Sequence, residues 1–211
     1  MATVPSSPPV EITGAWEVRF QPNRAATERV TFEKLISWSA HGDPGVRHFS
    51  GTASYRTSFD WSPEKGSPAD RPARVFLDLG RVAVIADVTL NGQPLRTLWK
   101  PPFRIEVTGA LKPGANRLEV SVANLWVNRQ IGDEQLPEDS ERNADGTLKQ
   151  WPQWLLDGKP SPAGRHTFTT WRLWKKDDAP LKSGLMGPVS LRLVQQVELR
   201  EPAAATCVTD E

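Results

Sequence analysis

The sequence predicts an all-β protein, a β-sandwich of jelly-roll type interrupted by one long ordered loop insertion. Three observations carry that prediction. Apolar and polar residues alternate with period two through most of the chain, as in antiparallel sheets packed face to face with one apolar side each. Gly, Pro and Asn punctuate these runs at intervals of about ten residues, a spacing typical of sandwiches. No sustained helical period competes with them. A chain of 211 residues suits one large sandwich. We place that domain at 14–200 with the insertion at 124–186.

Residues 1–13, MATVPSSPPVEIT, lack the basic start and apolar stretch of a signal peptide and are expected to be a linker or cloning boundary. GAWEVRF (14–20) puts Trp16, Val18 and Phe20 on one face. EKLIS (33–37) is the one stretch that suits a helical turn. GTASYRTSFD (51–60) resumes the strand pattern, and SPEKGSPADRP (62–72) breaks it. ARVFLDLG (73–80) aligns Val75, Leu77 and Leu79, and AVIADVTLNG (83–92) aligns Ala86, Val88 and Leu90 before Asn91-Gly92, a strong hairpin signal. FRIEV (103–107), the turn LKPGAN (111–116), NRLEVSVA (116–123) and GPVSLRLVQQVEL (187–199) complete the scaffold. Residues 201–211 are expected to be a disordered tail.

Composition excludes several partners. The net charge is +1 with Lys and Arg dispersed, whereas nucleic-acid binding needs a concentrated basic face. No run approaches the roughly 18 apolar residues that span a bilayer. The single cysteine, Cys207, cannot form an internal disulfide and has nothing nearby to activate it. Nine tryptophans against one tyrosine are the outlier, and indoles serve cores and binding platforms alike.

Five of those nine, Trp126, Trp151, Trp154, Trp171 and Trp174, fall in the insertion. Loops longer than about 12–15 residues are uncommon in compact domains unless functional or disordered. Disorder would expose every one of these indoles, so the excursion is expected to fold over an end or face of the sandwich.

Sugar recognition needs a flat aromatic for the C–H face of a pyranose and planar polar groups for its hydroxyls. NLWVNRQIGD (124–133) offers Trp126, Asn128, Arg129 and Asp133, with Glu134 following. Equally, Arg129 could pair with Asp133 to hold the loop down while Trp126 fills a core gap. Trp151 and Trp154 stand three apart across a proline in WPQWLLDGKP, where a short helical turn would put both on one side. One is expected to plug the sandwich end and the other to be exposed. Trp171 and Trp174 would face opposite ways in an extended chain. Trp99, at a strand entrance before PPF, is a further candidate, and Trp16 is structural.

Three segments now resemble a known family: FSGTASYRTSF (49–59), VFLDLGRVAVIADVTLNGQPL (75–95) with WKPPFRIEVTGALKPGANRLEVSVAN (99–124), and SGLMGPVSLR (183–192). They look like the sugar-binding domain of family 2 glycoside hydrolases, a galactose-binding-like jelly roll. The excursion, with WPQWL, TFTTW and SGLMGPV, more particularly resembles the C-terminal sandwich of family 106 α-L-rhamnosidases and related pectin-degrading enzymes. The likeness covers roughly 14–195. It implies a non-catalytic module of a larger, secreted glycosidase, extracellular or periplasmic, monomeric, and in some relatives carbohydrate-binding.

The expected function is therefore a carbohydrate-binding module that presents loop tryptophans to a plant polysaccharide, pectic in kind, through Trp99, Trp126, Asn128, Arg129, Asp133, Trp151, Trp154 and Trp171. The alternative is an accessory domain that docks on its parent's catalytic domain without touching sugar. A platform should leave one or two indoles exposed, a docking face a broader apolar surface. No cofactor is required. ERNADG (141–146) resembles the opening of a calcium loop, but its twelfth position is Pro152 instead of an acid; a structural calcium elsewhere stays open. His41, His48 and His166 lack zinc spacing. DEQLPEDSE (133–141) supplies carboxylates without a spacing that pairs them, so catalysis by this chain is not expected.

Overall fold

A computed structural model describes residues 2–5, 7–62 and 74–197. The expected tail at 201–211, with Cys207, and most of the Pro-rich stretch at 62–72 lie outside the described residues. In chain order the strands are β1 (Ala2–Pro5), β2 (Val10–Glu11), β3 (Trp16–Phe20), β4 (Arg29–Phe32), β5 (Thr52–Trp61), β6 (Arg74–Asp78), β7 (Arg81–Ala83), β8 (Ile85–Leu90), β9 (Gln93–Leu98), β10 (Arg104–Glu106), β11 (Gly114–Ala123), β12 (Gly184–Gly187) and β13 (Ser190–Val197). Short helices α1 (Pro44–Arg47), α2 (Val127–Asp133) and α3 (Gln153–Leu156) and a 3-10 turn at Trp38–Ala40 lie between them.

Two antiparallel sheets form the jelly-roll sandwich. One runs β4-β3-β5-β11-β8-β9; the other runs β1-β13-β6-β10, with β2 also on β13; β7 and β12 form a small ribbon. The centre is the ten-residue pairing of β5 with β11, Thr52↔Ala123 through Trp61↔Gly114. Alternation decides which side of β11 is dry: Leu118, Val120 and Val122 are fully buried, each contributing about 1.5–3 kcal/mol on burial. On the opposite face Arg56 forms a two-point ion pair with Glu119, 3.0 Å for each bond, and Ser54 bonds Ser121 at 2.9 Å. Val75, Leu77, Leu191 and Leu193 of the second sheet join Trp16, Val18 and Tyr55 of the first in one core.

Asn91-Gly92 makes the expected hairpin between β8 and β9, with φ of 54° and 81°, the doubly positive pattern that matches strand twist. Asn91 Nδ2 also donates to Asn116 Oδ1 at 2.8 Å, tying this turn to LKPGAN.

Two expectations give way. EKLIS forms no helical turn; the helical turns come just after it, at Trp38–Ala40 and Pro44–Arg47, where Asp43 caps by accepting from Gly45 N at 2.7 Å. The linker expected at 1–13 is largely structural: β1 and β2 pair with β13 and Ile12 is buried. The open edge of β13 satisfies the backbone of a segment whose own composition reads as unstructured.

Candidate functional site

The excursion begins where β11 ends, and neighbouring backbone fixes its first residues. Asn124 accepts from Gly51 N at 3.0 Å and donates to Phe49 O at 2.8 Å. Ser50 Oγ donates to Leu125 O at 2.8 Å and accepts from Arg129 N at 3.1 Å. The chain then turns into α2, whose Asn128, Arg129, Ile131, Gly132 and Asp133 are buried. Gly132 is required by packing: a Cβ there would lie 2.6 Å from His48 Cβ.

Burial corrects the reading of three polar candidates. Asn128, Arg129 and Asp133 are 2 %, 6 % and 1 % exposed and cannot reach a glycan. Asn128 clamps the far end of the excursion, accepting from Leu181 N at 2.7 Å and donating to Leu181 O at 2.8 Å. Asp133 Oδ2 accepts from His166 N, Thr167 N and Thr167 Oγ1 at 2.9, 2.7 and 2.7 Å. Its Oδ1 lies 3.0 Å from Arg129 Nε, an ion pair rather than a well-directed hydrogen bond, since neither atom has a hydrogen-bond partner. The pair pins the loop, as the alternative sequence reading held, but Trp126 fills no core gap, being 48 % exposed. His48 sits against this pair, and burial together with the Arg129 charge pushes its imidazole below the usual histidine range.

A second tier of anchors escaped the sequence reading. Arg165 donates to Glu134 Oε1 at 2.9 Å, Pro137 O at 2.9 Å and Leu136 O at 3.0 Å. Arg172 joins Glu134 at 3.2 Å and also pairs with Glu138. Arg142 donates to Gly146 O at 3.1 Å and Thr169 O at 2.8 Å. These five charged residues, spread from Glu134 to Arg172, hint at such a network, but nothing in their spacing assigns the partners. The return to the sandwich is fixed by Trp38 N donating to Ser183 O at 3.0 Å. Beside it, the buried Tyr55 hydroxyl accepts from Trp38 Nε1 and, at 3.0 Å, from Leu185 N.

The tryptophans divide. Trp154 and Trp174 are half-buried, whereas Trp99, Trp126, Trp151 and Trp171 are 66 %, 48 %, 56 % and 56 % exposed. Lys100 lies over Trp99 and Arg24 over Trp126, at 5.3 and 4.9 Å from the ring centres. Trp151 and Trp154 meet on Phe168, with centroids 5.7 and 5.9 Å away. Trp154 Nε1 donates to Asp139 O at 2.8 Å. Leu125, Leu156, Leu173 and Leu181 are also exposed, so the outside of this ordered cap is unusually apolar.

The acidic loop offers no idle pair of carboxylates. Asp133 is committed to Arg129 and residues 166–167, Glu134 and Glu138 face arginines, Asp139 accepts from Ser161 at 2.6 Å and Glu141 pairs with Lys149 at 3.1 Å. Within ERNADG the Asp145 carboxylate is taken by Thr147, at 3.0 Å from N and 2.6 Å from Oγ1. Among the described residues no cluster of three or more His, Cys, Asp or Glu side chains is placed to hold a metal ion.

Comparison with known proteins fits this architecture. The chain is 46% identical over 198 residues to a Formosa agariphila protein named "Putative beta-glucuronidase", covering 93% of this chain and 17% of that protein. The solved structure of a rhamnosidase from Novosphingobium sp. PP1Y superposes with a TM-score of 0.68 at 32% identity, over 93% of this chain and 15% of that one. The chain thus spans under a fifth of the length of either relative. Such a sandwich is an accessory domain of glycosidases, not the catalytic one. Residues 17–160 match the family described as "Glycosyl hydrolase 2 galactose-binding domain-like", and with that match spanning most of the sandwich and half of the cap, the chain belongs to that family.

Proposed function

We propose that this domain is a non-catalytic docking module of a longer glycosidase, and that the outer side of its cap meets the rest of that enzyme. One observation carries the reading: a cap pinned by buried polar bonds nevertheless turns Leu125, Trp126, Leu156, Trp171, Leu173 and Leu181 outward. At on the order of 100 Å² apiece, these side chains expose several hundred Å². Summed over the cap, that is of the order of the largest apolar patch on a typical monomer, which is often functional. Trp126 with Arg24 across its ring pairs the two side chains most often found as interface anchors.

The partner is the remainder of the parent chain, a reading supported by the length of both relatives. Their printed names support a parent of β-glucuronidase or rhamnosidase type. The narrower likeness to family 106 α-L-rhamnosidases rests on the motifs of the excursion, WPQWL, TFTTW and SGLMGPV. The parent is proposed to act outside the cytoplasm on a polysaccharide, pectic in kind, and its domain to need no cofactor. Hydrogen–deuterium exchange tests the docking. In the glycosidase that carries this domain, amides of 125–134 and 171–175 should exchange more slowly than in the 211-residue chain alone, with β5 and β11 unchanged. Equal exchange of the cap in both would refute it.

A second reading, direct glycan contact, is favoured by Trp151, an exposed indole packed against the ring of Phe168.

A further inference from the structure

We propose that Trp151 is a stacking platform for one pyranose ring of an oligosaccharide, with the exposed edge of α3 supplying hydrogen bonds to its hydroxyls. This inference rests on the glycan-contact reading and is independent of the docking surface.

The four exposed tryptophans are not equivalent. Trp99 and Trp126 each carry a cation over the ring, which covers one face and offers nothing flat behind it. Trp171 lies on an extended segment bridged to Thr147, next to exposed Leu173, in keeping with an interface. Trp151 is 56 % exposed yet held. Phe168 backs it with planes inclined 31°, Trp154 meets Phe168 edge-on at 83°, and the Trp154 indole N–H is fixed to Asp139 O. Pro152 follows directly as the residue preceding α3, and a residue before proline has a restricted backbone. The outward side of a ring placed in this way is pre-organised, so little ordering is left for a ligand to supply.

A pyranose offers a face of C–H groups to such a ring and a rim of hydroxyls to its surroundings. Two and six residues beyond Trp151, Gln153 Nε2 donates to Asp157 Oδ1 at 2.7 Å, and Lys159 Nζ donates to Asp157 Oδ2 at 2.9 Å. These bonds order the row while leaving Gln153 Oε1, the second amide hydrogen and remaining carboxylate lone pairs for hydroxyls. Gln153 and Lys159 hold the Asp157 carboxyl below the usual carboxylate range, so the acceptor stays charged at neutral pH. Neutral and uronate sugars share the C–H face that stacks; Lys159 would add attraction for a uronate.

The test titrates the 211-residue chain with a galactotetraose and with a tetragalacturonate, following tryptophan fluorescence and heat. Saturable millimolar binding of either is expected, and which one binds identifies the sugar. Trp151→Ala should weaken it about tenfold or more, Trp151→Phe less, and Gln153→Ala, which leaves the three-ring cluster intact, several-fold. Trp126→Ala should leave it unchanged. Silence of the wild-type chain toward both sugars overturns the proposal, as does undiminished binding by Trp151→Ala or equal loss with Trp126→Ala. Cap protection in the parent enzyme is read separately, so sugar binding without protection removes docking alone, and protection without sugar binding removes this site alone.

Discussion

Replacing Asp133 by alanine should open the cap while leaving the sandwich standing. The carboxylate is 1 % exposed and holds two backbone N–H groups and one hydroxyl from residues 166–167 in addition to Arg129. Removing one member of a buried ion pair costs about 3–5 kcal/mol because the other charge is left uncompensated. Each donor stranded out of reach of water adds about 1–3 kcal/mol. Water can enter the space vacated by the side chain and relieve part of this, so about 4 kcal/mol is the expected net loss. A loss of that size exceeds what the cap can absorb locally, since its other anchors are single residues. The transition should therefore divide. Limited proteolysis should cut within 134–180 at denaturant concentrations where β5 and β11 amides remain protected. Arg129→Met in the Asp133→Ala background should recover about half of the loss, because no unpaired charge remains. A midpoint shift equivalent to under about 0.5 kcal/mol, or simultaneous loss of cap and sheet protection, would refute the assignment of Asp133 as the cap's pin.

Other substitutions test the sandwich side of the same junction. Gly184→Ala places a methyl 2.5 Å from Trp38 Nε1 and 2.6 Å from the Tyr55 hydroxyl at a φ of 88°, and should cost about 3 kcal/mol or more in urea unfolding. Tyr55→Phe removes the acceptor shared by Leu185 N and Trp38 Nε1, two buried donors, for about 2–4 kcal/mol in the same assay. Acidification should act in two windows. The depressed His48 pKa means that its contribution is complete above the ordinary histidine range, about 6.5, and is lost as pH falls through the folded value. His48→Gln should flatten that first loss of the urea midpoint. Asp78 follows at lower pH: burial alone would raise its pKa, but Gly80 N, Arg104 and Arg192 outweigh burial and lower it. Its stabilisation is therefore present above about 3.9 and lost as pH falls through the lowered folded value, and Arg104→Gln should shift that loss to higher pH.

The scaffold is legible wherever a strand buries one side along several residues. β5 and β11 show this over ten positions each, and Asn91-Gly92 announces its turn by residue type alone. Strands that lean on neighbours leave less trace. β4 has one fully buried residue, Phe32; β9 contains Pro94 and a register shift against β8; β1 and β2 are ordered by β13. The cap follows the same rule. Trp151 and Trp154 share a neighbour, Phe168, but Trp151 precedes α3 and Pro152 is extended, so it is not a helical repeat that brings them together. Residue type leaves Asn128, Arg129 and Asp133 free either to meet a glycan or to hold the loop, and type does not report burial. The i,i+4 spacing of Arg129 and Asp133 around Ile131-Gly132 was the available signal. A helix that brings two opposite charges together beside an apolar residue and a glycine is pressed against something, and here that is His48 and Ser50.

The polar interior of the cap explains why its apolar exterior persists. Any rearrangement that folded Trp126 or Trp171 inward would have to displace α2 or the 166–172 segment. Both are held by Asp133, Arg165 and Arg142. Breaking the buried Arg129–Asp133 contact alone costs about 3–5 kcal/mol, whereas burying one more large apolar side chain returns about 1.5–3 kcal/mol. The inward state therefore loses even before its cavities and strain are counted. A buried ion pair can favour one packing over its rivals while adding little net stability, and the Arg129–Asp133 pair fits that role in a cap with several hydrophobic side chains facing water. A partner meeting that surface finds it already formed. The ordering cost that usually erodes interface affinity, about 0.5–1.5 kcal/mol per immobilised side chain, has largely been met by folding. The same pinning that makes the isolated domain expose apolar area would make that area usable in the proposed docking.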